Sequence, residues 1–476
     1  MKKVVAILCV LCLVFGMVGC GTSTTTTDEL TTVTWYLPMN AQDDIQMIED
    51  RAAEITVPLI NAKMDIVTID TSSFGERMNM NMASALDFDL AFTGYLNPYQ
   101  RAVQQGGVYD ITDLLTKETP KLWESLPEYV WDSARVDGRI YGVPNLQGLA
   151  NPTAAYYETE YINKYNFDYE AVEKPEDMEP LFEKLKANEP DVYPYRPNWE
   201  TKPWTDLVYE IIDATVVIRI DGSSPEVMFL YDTPEYKHAI ETLHSWYEKG
   251  YIRKDLLSSG DATADLKAGK YPVVHAGWLP GAEVNQKAQR GGRDVVAKPV
   301  MTPYMNRSAA LSTVNSVGAW SKHPVEALKM LELMNTNKDL YNTICFGIEG
   351  EHYEVLEDGK VRQNKDGGYY LNTDWMFGNQ FNAFVREGQE LDVWEQTKAL
   401  NESAIKSPLM GFVLDTDPIK NEISQFSAVR SEFDVGRFIV DGFKDWDEFD
   451  AKRKAAGSDK ILAEIQKQVN EFWATK

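Results

Sequence analysis

Trp278 follows the apolar run 271–276 and sits in Gly277-Trp278-Leu279-Pro280-Gly281. Glycine and proline around it suit a loop, and an indole placed there offers a wide apolar face to a ligand. Other aromatic and amide side chains gather at similar places. Trp375 and Asn379 lie in Trp375-Met376-Phe377-Gly378-Asn379-Gln380, and Trp35, Tyr36 and Asn40 follow the first apolar run. Tyr95 with Asn97, Asn145 with Gln147, and Tyr304 with Asn306 form three further groups. Trp199 and Trp204 belong to a proline-rich stretch over 189–203 and just beyond it. Aromatic faces ringed by amides match a neutral sugar, whose C–H faces stack and whose hydroxyls exchange hydrogen bonds. Each of these residues could equally serve ordinary core packing.

Catalytic and metal-binding patterns are poorly supported. The five histidines, His238, His244, His275, His323 and His352, include no His-Glu-x-x-His spacing. No Gly-x-Ser-x-Gly elbow and no phosphate-cradling glycine loop occurs. A calcium loop around 364–367 would begin at Arg362 and end at Thr373, and neither residue can play its part. The expectation is no catalytic residue, no metal and no cofactor. With 73 acidic residues, chance carboxylate pairs are certain, so they are no argument for glycoside hydrolysis.

The N-terminus reads as an export signal. Lys2 and Lys3 precede an apolar run over 4–18 that ends in Met17-Val18-Gly19-Cys20. That run is shorter than the roughly 20 residues a spanning helix needs. Gly19-Cys20 resembles a bacterial lipobox, with Met17 where leucine is usual. The resemblance implies that Cys20 is lipidated and becomes the mature N-terminus. Cys9 and Cys12 leave with the signal, so Cys345 has no partner for an intramolecular disulfide. Its apolar neighbours Ile344 and Phe346 suggest an inert buried thiol. Loss of Lys2 and Lys3 leaves 45 basic against 73 acidic residues. Such a chain repels phosphate backbones, so nucleic acid is not expected as a partner.

Periodicity places the elements that must hold the candidate residues. Strands are expected over 32–37, 63–69 and 88–93, alternating with helices over 43–62 and 74–86. That alternation indicates an α/β lobe with a mostly parallel sheet, whose ligands sit beyond the carboxyl ends of the strands. A second α/β-like stretch covers 151–312. Its clearest helix has Thr233 as N-cap, Pro234 in the first turn, an inward stripe of Tyr236, Ile240, Leu243 and Tyr247, and Gly250 as the stop. Further helices begin at Pro324 and Ser458. A chain this long exceeds one core, so two lobes are expected.

Several phrases resemble the extracellular solute-binding proteins of bacterial ABC importers, in the carbohydrate-binding branch. They are Phe88-Asp89-Leu90-Ala91-Phe92-Thr93, Gly107-Val108-Tyr109-Asp110-Ile111, Asp137-Gly138-Arg139-Ile140-Tyr141-Gly142-Val143-Pro144, and His323-Pro324-Val325-Glu326-Ala327. Leu266-Lys267-Ala268-Gly269-Lys270 with Gly277-Trp278 is another. Gly347-Ile348-Glu349-Gly350-Glu351-His352-Tyr353 and Asp415-Thr416-Asp417-Pro418-Ile419 resemble a subgroup with an uncharacterised C-terminal domain, sugar-binding lipoproteins of Gram-positive bacteria. The resemblance implies a two-lobed periplasmic-binding-protein-like α/β fold with an inter-lobe hinge and a ligand cleft. It also implies a lipid-anchored, monomeric protein on the extracytoplasmic face of the membrane. That protein would capture a carbohydrate, an oligosaccharide, by lobe closure and deliver it to membrane permease subunits.

The expected organisation is a signal peptide over 1–19, a tether over 20–29, a first lobe of 30–150 plus 313–374, and a second lobe of 151–312 plus 375–476 with a C-terminal helical region. Hinge crossings are expected near Ala150, Ser312 and Trp375. Two other readings stay open. A surface glycoside hydrolase would need an acid pair across the cleft, and a peptide- or partner-binding adaptor lipoprotein would need a flat apolar patch. The anchor is testable directly. Cys20→Ser should move the protein from the membrane fraction into the medium or leave it unprocessed. Normal cleavage with full membrane retention would contradict the lipobox.

Overall fold

The computed structural model describes residues 29–150, 152–197, 204, 208–258 and 262–474. The signal, Cys20, most of the tether and Trp199 lie outside them. The first sheet contains β1 (Thr31–Pro38), β2 (Ala62–Ile69), β3 (Leu90–Gly94) and β4 (Gly142–Pro144), joined by the returning strand Thr313–Val317. β1 lies between β2 and β3, parallel to both. The returning strand runs antiparallel between β3 and β4. Val33, Trp35 and Leu37 alternate inward from β1, and β3 is buried along its whole length, as a central strand covered on both faces must be.

Helix boundaries follow local capping. Thr233 accepts from Tyr236 N–H at 3.2 Å and Gly250 ends Pro234–Lys249 at φ 76°, as the sequence indicates. The helix expected over 74–86 instead spans Thr71–Ala83, because Asp70 accepts from Ser72 N–H at 2.9 Å and starts it earlier.

The second lobe is less parallel than the sequence suggests. β5 (Thr153–Glu158) pairs antiparallel with both Val273–Gly277 and Val295–Pro299, and Tyr195–Arg196 adds a short parallel edge. A separate antiparallel meander, Tyr209–Asp213, Val216–Arg219 and Val227–Phe229, was not foreseen.

Apolar side chains segregate accordingly. One cluster joins residues of 33–150 with Met305, 309–317 and 327–383. A second joins 155–256 with Val273 and 409–469. A small third, with Ala154, Tyr156 and Val274, covers the other face of the second sheet. Met376, Phe377 and Ala383 pack with the first cluster, so the chain passes finally to the second lobe near 404–409 and not at Trp375.

Three segments therefore cross between lobes, and they are bonded to one another. Tyr304–Met305 and Ile405–Lys406 pair as parallel strands. Glu210, buried on the meander, accepts from Tyr304 O–H at 2.6 Å, Ser407 O–H at 2.6 Å and Arg307 N–H at 2.9 Å. Asn401 accepts from the Leu149 and Ala150 N–H groups at 2.8 and 3.0 Å and donates to the Gln147 carbonyl at 2.7 Å.

His275 lies buried in the second sheet, 3.1 Å from the Tyr195 hydroxyl and 3.5 Å from the Trp204 indole nitrogen. Burial lowers its pKa from the ordinary 6.5 to about 4. The unfolded chain takes a proton near pH 6.5 that the folded chain refuses until about pH 4, so this contribution is intact above 6.5 and lost as pH falls to 4. Chemical denaturation at a series of pH values should show roughly 3 kcal/mol of stability lost through this residue across that window. In His275→Gln the loss should shrink by that amount, whatever the variant costs at neutral pH.

Candidate binding cleft

Strand Val273–Gly277 ends at the lobe boundary, and its exit loop with helix Ala282–Gln289 forms one wall of a cleft. Residues 372–389, packed on the first lobe, form the other. Three adjoining hollows make up the cleft. The first, about 420 Å³, is bordered by Tyr95, Gln147, Leu279, Asn306 and Trp375. The second, about 270 Å³, shares Leu279 and Trp375 and adds Asp374, Gln380, Arg386 and Trp394. The third, about 300 Å³, shares Asn285, Asn372, Arg386 and Gln389 and reaches Lys365 and Tyr370. Two hollows of about 510 and 550 Å³ lie elsewhere. The first of these is walled by the second lobe alone, around Tyr231 and Trp446, and the other lies between 135–137 and 411–472. The cleft is the better ligand site, because both lobes line it at the end of a strand and polar groups converge there.

Trp375 is the partly exposed centre of this surface. Its ring centroid lies 6.3 Å from that of Phe92 and 6.0 Å from that of Tyr95. Burial also raises the pKa of the Tyr95 phenol, although the residue remains substantially exposed. Asn145, fully buried, donates to the carbonyls of Trp375 and Met376 at 3.2 and 2.7 Å and so fixes the backbone beneath the indole.

Arg386 and Asp374 form the polar floor. Arg386 Nη1 donates to Asp374 Oδ2 at 3.1 Å, and Gln380 Nε2 donates to the same oxygen at 3.2 Å. Burial works against the charge on Arg386, but the Asp374 carboxylate more than offsets it and holds the guanidinium pKa above its ordinary value.

Tyr95, Gln147, Asn306 and Trp375 thus meet in one cleft, while the other candidates lie apart from it. Trp278 has its indole on Glu283 Oε1 at 3.1 Å and its ring against the third cluster, whereas its neighbours Gly277 and Leu279 border the cleft. Trp35 is fully buried, donates to Asn315 Oδ1 at 3.0 Å and stands edge-on to Phe377, so it is a core residue. Tyr36 packs on Phe88, Asn40 is exposed beyond β1, and Asn97 is buried in the turn after β3. Asn379 caps a short turn through Phe381 N–H, leaving Gln380 to face the hollow. Trp204 packs among Tyr195, Trp246 and His275, and Tyr304 belongs to the Glu210 clamp. Sequence reasoning missed Leu279, Asn285, Asp374, Gln380, Arg386 and Trp394. The Gly277–Gly281 loop and the Trp375–Gln380 phrase pointed near them.

Residues 408–474 match a family described as Domain of unknown function (DUF3502). Over 98% of this chain, a carbohydrate ABC transporter substrate-binding protein of Streptococcus pneumoniae serotype 4 is 29% identical and covered to 97%. The crystal structure of an N-glycan transport solute-binding protein (NgtS) from Streptococcus pneumoniae superposes with a TM-score of 0.82 at 25% identity. That superposition covers 93% of this chain and 99% of NgtS. Over nearly its whole length this chain is similar to solute-binding proteins of ABC importers. The complex of NgtS with Man1GlcNAc gives a TM-score of 0.71 at 27% identity, covering 93% of this chain and 100% of that one. The complex with Man5GlcNAc gives 0.67 at 26% identity, covering 94% and 99%. If Trp375 is a cleft wall, Trp375→Ala should cost only about 1–2 kcal/mol in urea unfolding. Trp35→Ala should cost about 3–5 kcal/mol, since it empties a core site and orphans Asn315. Equal costs would place Trp375 in the core.

Proposed function

We propose that this chain is the substrate-binding component of an ABC importer and captures an oligosaccharide between its lobes. The observation that carries the reading is whole-length likeness to NgtS combined with a fall in TM-score, from 0.82 for the structure described without a glycan to 0.71 and 0.67 for its glycan complexes. One relative protein in several states differs from this chain by different amounts, as expected if lobes move about a hinge on binding. Of these three, the present structure superposes best on the one described without a glycan. Closure would bring Leu279 and Asn285 of the second lobe onto a sugar resting against Trp375, and the closed form is what the permease would recognise. A lipid anchor at Cys20 would keep the protein at the extracytoplasmic membrane surface as a monomer. Among the described residues no helix is long and apolar enough to cross a membrane.

The cleft carboxylates ill suit glycoside hydrolysis. Asp374 is ion-paired with Arg386, and Glu387 is ion-paired with Arg362, which lowers its pKa. A general acid needs the opposite shift. The test is a thermal-shift screen of mannose-, galactose- and fructose-based oligosaccharides, followed by small-angle scattering with any that bind. A ligand at 100 times its Kd should stabilise by about 2.7 kcal/mol. It should also reduce the radius of gyration, be recovered uncleaved, and bind at least about threefold more weakly to Trp375→Ala, through lost ring stacking. A panel with no stabilising sugar would sink the proposal.

A further inference from the structure

We propose that the pole of the first lobe at which the chain enters rests on the lipid bilayer. This rests on the reading of Cys20 as a lipid anchor and extends it to a surface of the folded protein. Among the described residues twelve large apolar side chains are exposed, and Leu30, Leu59, Met80, Leu86, Tyr109 and Trp320 lie at that one pole. Each of the six is 36–57% exposed. Single exposed apolar residues are normal, but half of the total gathered on one end of one lobe marks a contact surface.

Hydrogen bonds along the amino ends of the parallel strands bring the six together. Leu30 precedes β1, and Leu59 lies in the last turn of the helix Ile45–Ile60. Asn61 links them, accepting from Thr31 N–H at 3.2 Å and donating to the Glu29 carbonyl at 3.3 Å. Met80 is in the last turn of Thr71–Ala83, and Leu86 follows that helix ahead of β3. Tyr109 N–H donates to the Val317 carbonyl at 2.8 Å, and Ala319 N–H, next to Trp320, donates to the Gly107 carbonyl at 3.2 Å. Asp89 ties the entering strand to this turn: one oxygen accepts from Thr34 N–H at 2.9 Å, the other from Ser321 O–H at 2.6 Å. Tyr95, on the cleft, follows the opposite end of β3, so pole and cleft lie at opposite ends of the first sheet.

Three observations favour a membrane as the occupant. The nine residues from Cys20 to Asp28 can span at most about 30 Å, and they enter at Glu29, in the pole itself. An acylated Cys20 therefore keeps this surface at high local concentration against the bilayer. Trp320 and Tyr109 are residue types that settle at the headgroup level, where one side of a ring is apolar and the other wet. The Lys322–Asp87 ion pair beside them is self-neutralised, so the contact needs no anionic lipid, which the chain's net charge of −26 would repel. In this stance the cleft is held away from the lipid, open to solutes in the medium.

Fluorescence quenching tests the contact. Protein extracted from membranes is reconstituted into phosphatidylcholine vesicles with brominated acyl chains, and mass spectrometry reads the acylation of Cys20. Brominated lipid should quench part of the tryptophan emission, and Trp320→Phe should abolish at least roughly half of that quenching. Trp446→Phe, on the second lobe, should change it by less than about a tenth. Leu86→Gln combined with Tyr109→Ser should weaken the quenching of Trp320 while moving the melting temperature by no more than about two degrees, as for exposed sites. Equal quenching in wild type and Trp320→Phe would overturn the proposal. So would a Cys20→Ser protein that sediments as a dimer split by Trp320→Asp, since the pole would then join two copies. If Cys20 carries no acyl chain, the anchor reading fails and takes this inference with it. With the acyl chain present and Trp320 unquenched, this inference alone fails.

Discussion

A single buried carboxylate organises the connection between the lobes. Glu210 accepts hydrogen bonds from the side chains of Tyr304 and Ser407 and from the backbone of Arg307. Those donors belong to two crossing segments that are a hundred residues apart in sequence and paired as parallel strands. A buried carboxylate is tolerated only when such partners satisfy it, so the clamp holds both segments to the meander that carries Glu210. Arg307 strengthens it by donating to the Ile212 and Phe412 carbonyls at 2.5 and 3.3 Å. The remaining crossing is tied down by Asn401. All three crossing segments are thus tied by hydrogen bonds, a constraint on any change in lobe angle.

That constraint explains how the cleft can be both preformed and adjustable. Its polar floor and aromatic centre are on one lobe, and each is already held by hydrogen bonds. Asn145 fixes the Trp375 backbone, and Asp374 gathers Gln380 and Arg386. The facing wall, the loop after Gly277 and helix Ala282–Gln289, belongs to the other lobe. Little ordering of side chains is needed on the first lobe when a ligand arrives, which reduces the entropic cost of capture.

Much of the first lobe was legible in the sequence, and the reasons are local. β1 and β3 declare themselves by alternation and by a short apolar run ending in glycine, and Pro234–Lys249 by its cap residues. The meander of the second lobe was not legible. Its first turn places Ala214 and Thr215 at φ 45° and 63°, with no glycine or asparagine to mark a hairpin. Trp278 stands one position off the hollow: side chains of an extended segment alternate, so Gly277 and Leu279 border the cleft while the indole between them packs on the third cluster. Arg386 and Gln380 lie in an irregular stretch without periodicity, where no pattern could single them out. Trp375 could be found because a tryptophan in such a stretch is conspicuous by itself.

The segment matching the family of unknown function begins at residue 408, one position after the clamped Ser407. Its helices supply Phe426, Phe438, Phe449 and Ile465 to the same apolar cluster as Phe229, Tyr231 and Ile240 from the middle of the chain. A boundary drawn from sequence recurrence therefore cuts through one cooperative folding unit. The segment is half of a shared interior, completed by chain made some two hundred residues earlier. The second lobe cannot close its core until the last helix is available to it. Until then, the middle of the chain has to be kept from wrong partners by some other means.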